Sequence, residues 1–332
     1  MGDTEKGQRY GQVALRLAEK YGVDAWIGRV ATLYFASIQN WSRPFHESLE
    51  PMRTARQISL ASGDIEFGMI NGNLSCFLEM DLVPIPKIVD TIRDYQETMT
   101  RYGQAVNLQM LQPTLSILLA CSGESHGDFS MLEEAENRFK DVKISDSLLV
   151  LWYHYARMVA AYLFDDMDQA SCEAQHCAKI VNKPAGSGDI AMPVLIDGLL
   201  TLEKCRRHWW NLAILLPRAR RRICQLRRFA SCSPVNFLGK LHLLRAEMAS
   251  VLGRRNAAYM NYTSAIVLMR DAGFFLQLGL ANELAGKHFL RLGDFQKADP
   301  FLREAVRVYR AWGGTAKADH LMAQVSDPRY KT

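Results

Sequence analysis

The sequence has no long uninterrupted apolar run. Its most apolar stretch, SLLVLWYHYARMVAAYLF, is broken by His154 and Arg157, which suits a buried helix and excludes a membrane span of about 20 apolar residues. The two-residue alternation and hairpin turn signals of a β-sheet are also missing. Seven cysteines (Cys76, Cys121, Cys172, Cys177, Cys205, Cys224 and Cys232) make an odd number without a paired framework, so reduced thiols in a cytoplasmic compartment are expected. The opening residues, MGDTEKGQRY, lack the apolar core of a signal peptide.

Catalytic signatures are equally scarce. Gly313-Gly314-Thr315-Ala316-Lys317 fails as a phosphate loop, because its Lys comes three residues after the second Gly, no hydroxyl follows and a helix precedes. Gly123-Glu124-Ser125-His126-Gly127 fits the nucleophile-elbow pattern, but that turn needs a parallel sheet beneath it. Cys172 and His176 stand four apart, as zinc ligands on a helix can, yet no second ligand pair lies near. The expectation is no enzyme, no cofactor and no metal.

What the chain does have is helical grammar. Apolar residues recur at three- and four-residue spacing nearly throughout. Helices are expected near Gln8–Tyr21, Ala25–Gln39, Glu50–Ala61, Ile65–Met80, Pro86–Arg101, Ala105–Ala120 and Ser145–Leu163, with a capping box at Ser130–Glu133. Gly253, Gly273, Gly293 and Gly313 fall 20 residues apart, each just past an amphipathic run, where a glycine can close a helix in the left-handed conformation. Helix hairpins therefore repeat every 40 residues. Ala258, Tyr262 and Ala265 correspond to Ala298, Leu302 and Ala305, while Gly286 and Phe289 complete the second unit. Small positions followed by large ones let stacked helix pairs interlock, the tetratricopeptide pattern at more than its usual repeat of about 34. Pro300 is an irregularity expected to kink its helix.

This gives an all-α stack of antiparallel helix hairpins, a tetratricopeptide-like superhelix in two lobes. An N-terminal lobe of degenerate repeats spans 1–122, a linker loop 123–130, a C-terminal lobe 131–325 and a tail 326–332. Asn182–Asp189 is a further loop. Tyr309 and Trp312 share one side of a helix ended by Gly313, a last helix starts at about Thr315, and Trp312 is buried. Lys317, in the first turn of that helix, requires an acidic partner against the macrodipole.

Charge is distributed unevenly. The net charge is +5, yet Lys204 to Arg245 holds eleven Lys or Arg and no Asp or Glu. Arg218, Arg220, Arg221, Arg222, Arg227 and Arg228 form its core, with Trp209 and Trp210 upstream. A solvated helix face, its arginines lying across acidic neighbours, is the favoured reading. Arg218, Arg221, Arg222 and Arg228 share a side, and Ile223, Leu226 and Phe229 are buried. An acidic partner at this stretch is the alternative, and nucleic acid is disfavoured.

In the order VATLYFASIQNWSRPFHESLEPMRTARQISLASGD, YQETMTRYGQ, SPVNFLGKLHLLRAE and GLANELAGKHFLRLGD, the sequence resembles the tetratricopeptide-like helical region of very large signalling proteins that contain an AAA-type predicted ATPase. Trp41, Pro44, Leu49, Gly63-Asp64, Pro234, Asn236, Lys240, Leu244, Ala246 and Glu247 carry the resemblance, with Tyr309, Trp312, Gly313, Ala316, Lys317 and Leu321. Gly239 departs from a family His and Gly314 from a family Ala. In that family a protein-kinase-like domain usually lies upstream, and GAF with histidine-kinase or nucleotide-cyclase domains often follow. The resemblance implies a non-catalytic module that binds a peptide or helix in a concave groove, as scaffold or regulatory surface in signalling. The alternative is a regulatory fragment of a multidomain ATP-dependent signalling protein.

Overall fold

Apolar spacing of three and four residues yields helices wherever the computed structural model describes the chain, at residues 3–124, 148–181 and 190–326. Fifteen α-helices and no strand occur among these residues. The N-terminal half holds α1 (Thr4–Lys20), α2 (Asp24–Ala31), α3 (His46–Ala61), α4 (Ile65–Glu79), α5 (Ile85–Arg101) and α6 (Ala105–Ser122). Then come α7 (Leu148–Leu163), α8 (Met167–Val181), α9 (Ala191–Arg207), α10 (Leu212–Cys232) and α11 (Pro234–Val251). The chain ends with α12 (Arg255–Asp271), α13 (Phe275–Arg291), α14 (Phe295–Trp312) and α15 (Thr315–Ser326). Neighbours in sequence are neighbours in space, most extensively α13 with α14 and α11 with α12, which makes this an all-α helical-repeat superhelix. No helix among the described residues is long and apolar enough to cross a membrane.

The corners explain the regularity. Gly253, Gly273, Gly293 and Gly313 have φ of 70°, 77°, 72° and 95°. The residue after each donates its N–H to the carbonyl five positions back: Arg254 to Ala249, Phe274 to Met269, Asp294 to Phe289 and Gly314 to Tyr309. This Schellman closure satisfies carbonyls that a helix end leaves open. Gly22, Gly63 and Gly103 turn the N-terminal helices the same way.

Interlocking of α13 with α14 rests on two glycines seven residues apart. A Cβ on Gly279 would lie 2.4 Å from the Tyr309 ring, and one on Gly286 would lie 2.5 Å from Leu302 Cγ. Leu302 and Tyr309 are likewise seven apart, so two knobs on α14 fill two gaps on α13. Ala298 and Ala305 are fully buried, and Phe289 stacks on Phe301 at 5.7 Å.

Two expectations need correction, those for the Ala25–Gln39 helix and for Arg222. The helix expected over Ala25–Gln39 leaves α geometry early, with a π-helical segment at Thr32–Ile38 and a 3₁₀ turn at Gln39–Trp41. Helix α14 runs unbroken through Pro300. Both Gln296, whose carbonyl the proline cannot pair, and Pro300 itself are exposed, so water can satisfy that carbonyl. Arg222 does not share the solvated face, as described below. Ser125 of the nucleophile-elbow pattern, the Ser130–Glu133 capping box, most of linker 123–130, the Asn182–Asp189 loop and the tail from 327 lie outside the described residues.

The chain's end folds back onto its beginning. Trp312 is fully buried, and its indole N–H donates to the Met80 carbonyl at 2.9 Å. Gly313 sits so close to the start of α5 that a Cβ there would lie 2.9 Å from Pro86 Cδ. Asn236 of α11 donates to the carbonyls of Asn40 and Arg43 and accepts from the Phe45 N–H. One continuous core of buried residues runs from Trp41 to Leu321. Truncating Trp312 to Ala should therefore lower unfolding free energy by about 3–5 kcal/mol. Urea denaturation checks this, and a variant as stable as wild type would show that the indole is not seated.

Candidate functional site

A cavity of about 480 Å³ opens on one side of the C-terminal half. Its walls come mainly from every second helix: Tyr162 of α7, Glu203 and Arg206 of α9, Glu247 of α11, Glu283 and Lys287 of α13, and Lys317 of α15, with Met167 of α8 and Phe295 of α14 added. Alternate helices on one face define the inner wall of a helical-repeat superhelix.

Glu283 is the hub. Nearly fully buried, its carboxylate accepts from Lys287 Nζ at 2.7 Å, Lys317 Nζ at 3.0 Å and the Tyr309 hydroxyl at 2.8 Å. Burial alone would raise its pKa, but the two ammonium groups outweigh that and bring it down to about 2. Lys317, itself 1% exposed, also donates to the Leu163 carbonyl at 2.5 Å, so its position in the first turn of α15 is compensated. The same glutamate thus ties together three helices.

Glu247 repeats the arrangement one hairpin earlier. It accepts from Arg206 and from the Tyr262 hydroxyl, and Arg206 also reaches Glu203 at 3.0 Å. Burial opposes the charge on Glu247, yet Arg206 and then Arg291 hold its pKa below the usual carboxylate range.

At the mouth, Asp165 adopts φ of 62°, the one non-glycine with positive φ among the described residues. Non-glycine residues adopt that conformation at a cost, and what retains Asp165 there is its carboxylate. It accepts from Gln324 at 2.6 Å and lies 3.2 Å from His320 Nε2 and 3.5 Å from Lys287 Nζ. Against burial, His320 and Lys287 lower its pKa.

Five cationic side chains face four carboxylates in the cavity lining. The cations are Arg206, Arg207, Lys287, Arg291 and Lys317. All but Arg291 are held by a carboxylate within the site. The Arg291 side chain is exposed and makes no ion pair or hydrogen bond among the described residues, although its charge acts on Glu247 at longer range. The mouth therefore presents one positive charge without a contacting carboxylate to whatever enters.

The residues read from sequence fall into two groups. Gly253, Gly273, Gly293 and Gly313 turn the corners, while Gly286, Phe289, Ala298, Ala305 and Trp312 pack the hairpins. Of the arginines, Arg222 is buried and pairs with Asp197 Oδ2 at 2.6 Å, and Arg218 pairs with the other oxygen. Asp197 lies outside the acid-free stretch, on α9, so the partner was invisible to a local reading. Arg220, Arg221, Arg227 and Arg228 are exposed on α10. The buried thiols are poor nucleophiles, since burial pushes Cys121 and Cys177 up to about 12. His176 stacks on His154 at 4.4 Å, and His154 Nδ1 lies 2.7 Å from Glu173. No group of three or more metal-ligating side chains occurs among the described residues.

The site thus belongs to an all-α helical-repeat protein with a polar inner face. A scan against known protein families finds no match, and no curated protein matches the sequence.

Glu283 makes the site acid-sensitive. Its pKa lies at about 2 in the fold against an ordinary 4.5, so the stability it contributes is complete above 4.5 and lost as pH falls toward 2. The loss should amount to roughly 3 kcal/mol. Glu283→Gln should flatten the slope of unfolding free energy against pH in that window, and an unchanged slope would contradict the assignment.

Proposed function

We propose that this protein is a non-catalytic protein-interaction module, a scaffold or regulatory surface that takes a partner segment into its inner cavity. The observation that carries the reading is a cavity of about 480 Å³ walled mainly by alternate helices, whose cationic side chains are all ion-paired within the site except Arg291. Paired, hydrogen-bonded side chains make a rigid wall, and a rigid wall binds with little ordering cost. The arginine without a contacting carboxylate selects a segment that brings one, from an acidic side chain or a chain terminus. No cofactor is required. The absence of a disulfide bond among the described cysteines supports a cytoplasmic setting.

The resemblance to the helical region of AAA-type ATPase signalling proteins supports a second reading, a regulatory part of such a protein. Tyr10, Val13 and Leu17 on α1 are 72%, 50% and 48% exposed, and their spacing makes an apolar stripe on which a neighbouring domain would stack. The catalytic groups of that assembly would lie outside this chain.

Panning a displayed random-peptide library on the protein tests the first reading. Peptides with an acidic residue or free carboxylate should be enriched, and Arg291→Glu should reduce their affinity about tenfold or more, the size of one charge-assisted contact. No enrichment, or equal binding to Arg291→Glu, would overturn it.

A further inference from the structure

The outer face of α10 carries features that neither the fold nor the cavity uses. Ile214, Arg221 and Arg228 are seven residues apart in succession and so form one line along the helix, with Ala213, Arg220 and Arg227 forming the adjacent line. All six are exposed. The side chains of Arg220, Arg221, Arg227 and Arg228 make no ion pair or hydrogen bond among the described residues, in contrast to those of Arg218 and Arg222, which both pair with Asp197. Arg245 of the neighbouring helix is also without an acidic partner, and after burial the Arg227 charge is what lowers its pKa. Positive charge is therefore concentrated here without compensation.

At the N-terminal end of the same helix, the preceding 3₁₀ turn Trp209–Asn211 projects two indoles. Trp209 and Trp210 are 71% and 62% exposed, and Ile214 is 75% exposed. The two indoles lie edge to face at 6.3 Å. The buried tryptophans Trp41, Trp152 and Trp312 show the contrast, at 6%, 7% and 0% exposure.

We infer that this face docks on the surface of an anionic phospholipid bilayer. Three observations favour a bilayer over a polypeptide or a nucleic acid. The apolar residues stand out from the surface instead of lining a groove, so a partner needs no complementary ridge. Tryptophan and an aliphatic side chain together suit the headgroup–acyl boundary, where indoles concentrate, whereas base stacking has no use for Ile214. The arginines extend the same face by about 20 Å at 1.5 Å per residue, a length over which lipid phosphates and carboxylates can neutralise them. Helix α10 itself supplies no wall of the inner cavity.

Vesicles of phosphatidylcholine with and without phosphatidylserine provide the probe, with the full chain in sedimentation assays at low and high salt. Wild type should bind the anionic vesicles about tenfold or more tightly than the neutral ones, and salt should weaken binding. Two variants separate the contributions: Arg220→Glu, Arg221→Glu, Arg227→Glu and Arg228→Glu combined, and Trp209→Ala, Trp210→Ala and Ile214→Ser combined. Each should lose most of the binding while retaining wild-type circular dichroism, because every substituted side chain is exposed. In a Trp26→Phe background, brominated lipid should quench wild-type tryptophan emission, since the other three indoles are buried. This measurement stands even if a combined variant fails to fold. Absence of a preference for anionic vesicles would overturn the proposal. So would undiminished binding by the tryptophan and isoleucine variant with no quenching, because arginines alone, binding an oligonucleotide equally well, define a general polyanion surface.

Discussion

The carboxylate of Asp81 holds the C-terminal hairpins against the N-terminal half. Helix α13 begins at Phe275 without a side-chain cap of its own. Asp81 supplies one from 195 residues away: its carbonyl accepts the Phe275 N–H at 2.7 Å, and its carboxylate accepts the N–H groups of Leu276 and Gln277 and the Gln277 side-chain amide. A helix N-terminus attracts negative charge, and the buried Lys240 adds to that attraction. Burial raises the pKa of Asp81 and lowers that of Lys240, and the opposite charge of each partner works against the shift of the other. Because α13 also carries Glu283 and Lys287, whatever fixes its start fixes the inner wall of the cavity.

Buried polar groups recur wherever distant segments meet. Asn236 clamps the Asn40–Phe45 turn, the Trp312 indole meets the Met80 carbonyl, and Lys317 meets the Leu163 carbonyl. Apolar packing supplies most of the driving force for folding, but it is non-directional. A hydrogen bond left unmade in such a place is expensive, so these contacts select one register of the stack from many that would bury similar area.

Much of this was legible in the sequence because it is local. A glycine after each amphipathic run implies a left-handed corner, and Gly253, Gly273, Gly293 and Gly313 take that form. The burial of Trp312 and the need of Lys317 for an acid followed from helix geometry alone. What could not be read depends on chain pairs far apart. Asp81 gives no local hint that it caps α13. Arg222 looks like its neighbours until Asp197 arrives from α9. Asp165 occupies a corner where other repeats place glycine, and only the convergence of His320, Gln324 and Lys287 explains it. The basic stretch was legible as a charge excess. Which arginines remain unpaired emerged only from the packing of α10 on α9.

A carboxylate borrowed from the N-terminal half organises the C-terminal wall. Native-state hydrogen exchange on wild type and Asp81→Ala tests it most directly. The account predicts that the Leu276 and Gln277 amides are protected in wild type as strongly as the interior of α13 and exchange rapidly in the variant, while α12 keeps its protection. Equal protection of those two amides in both proteins would contradict it.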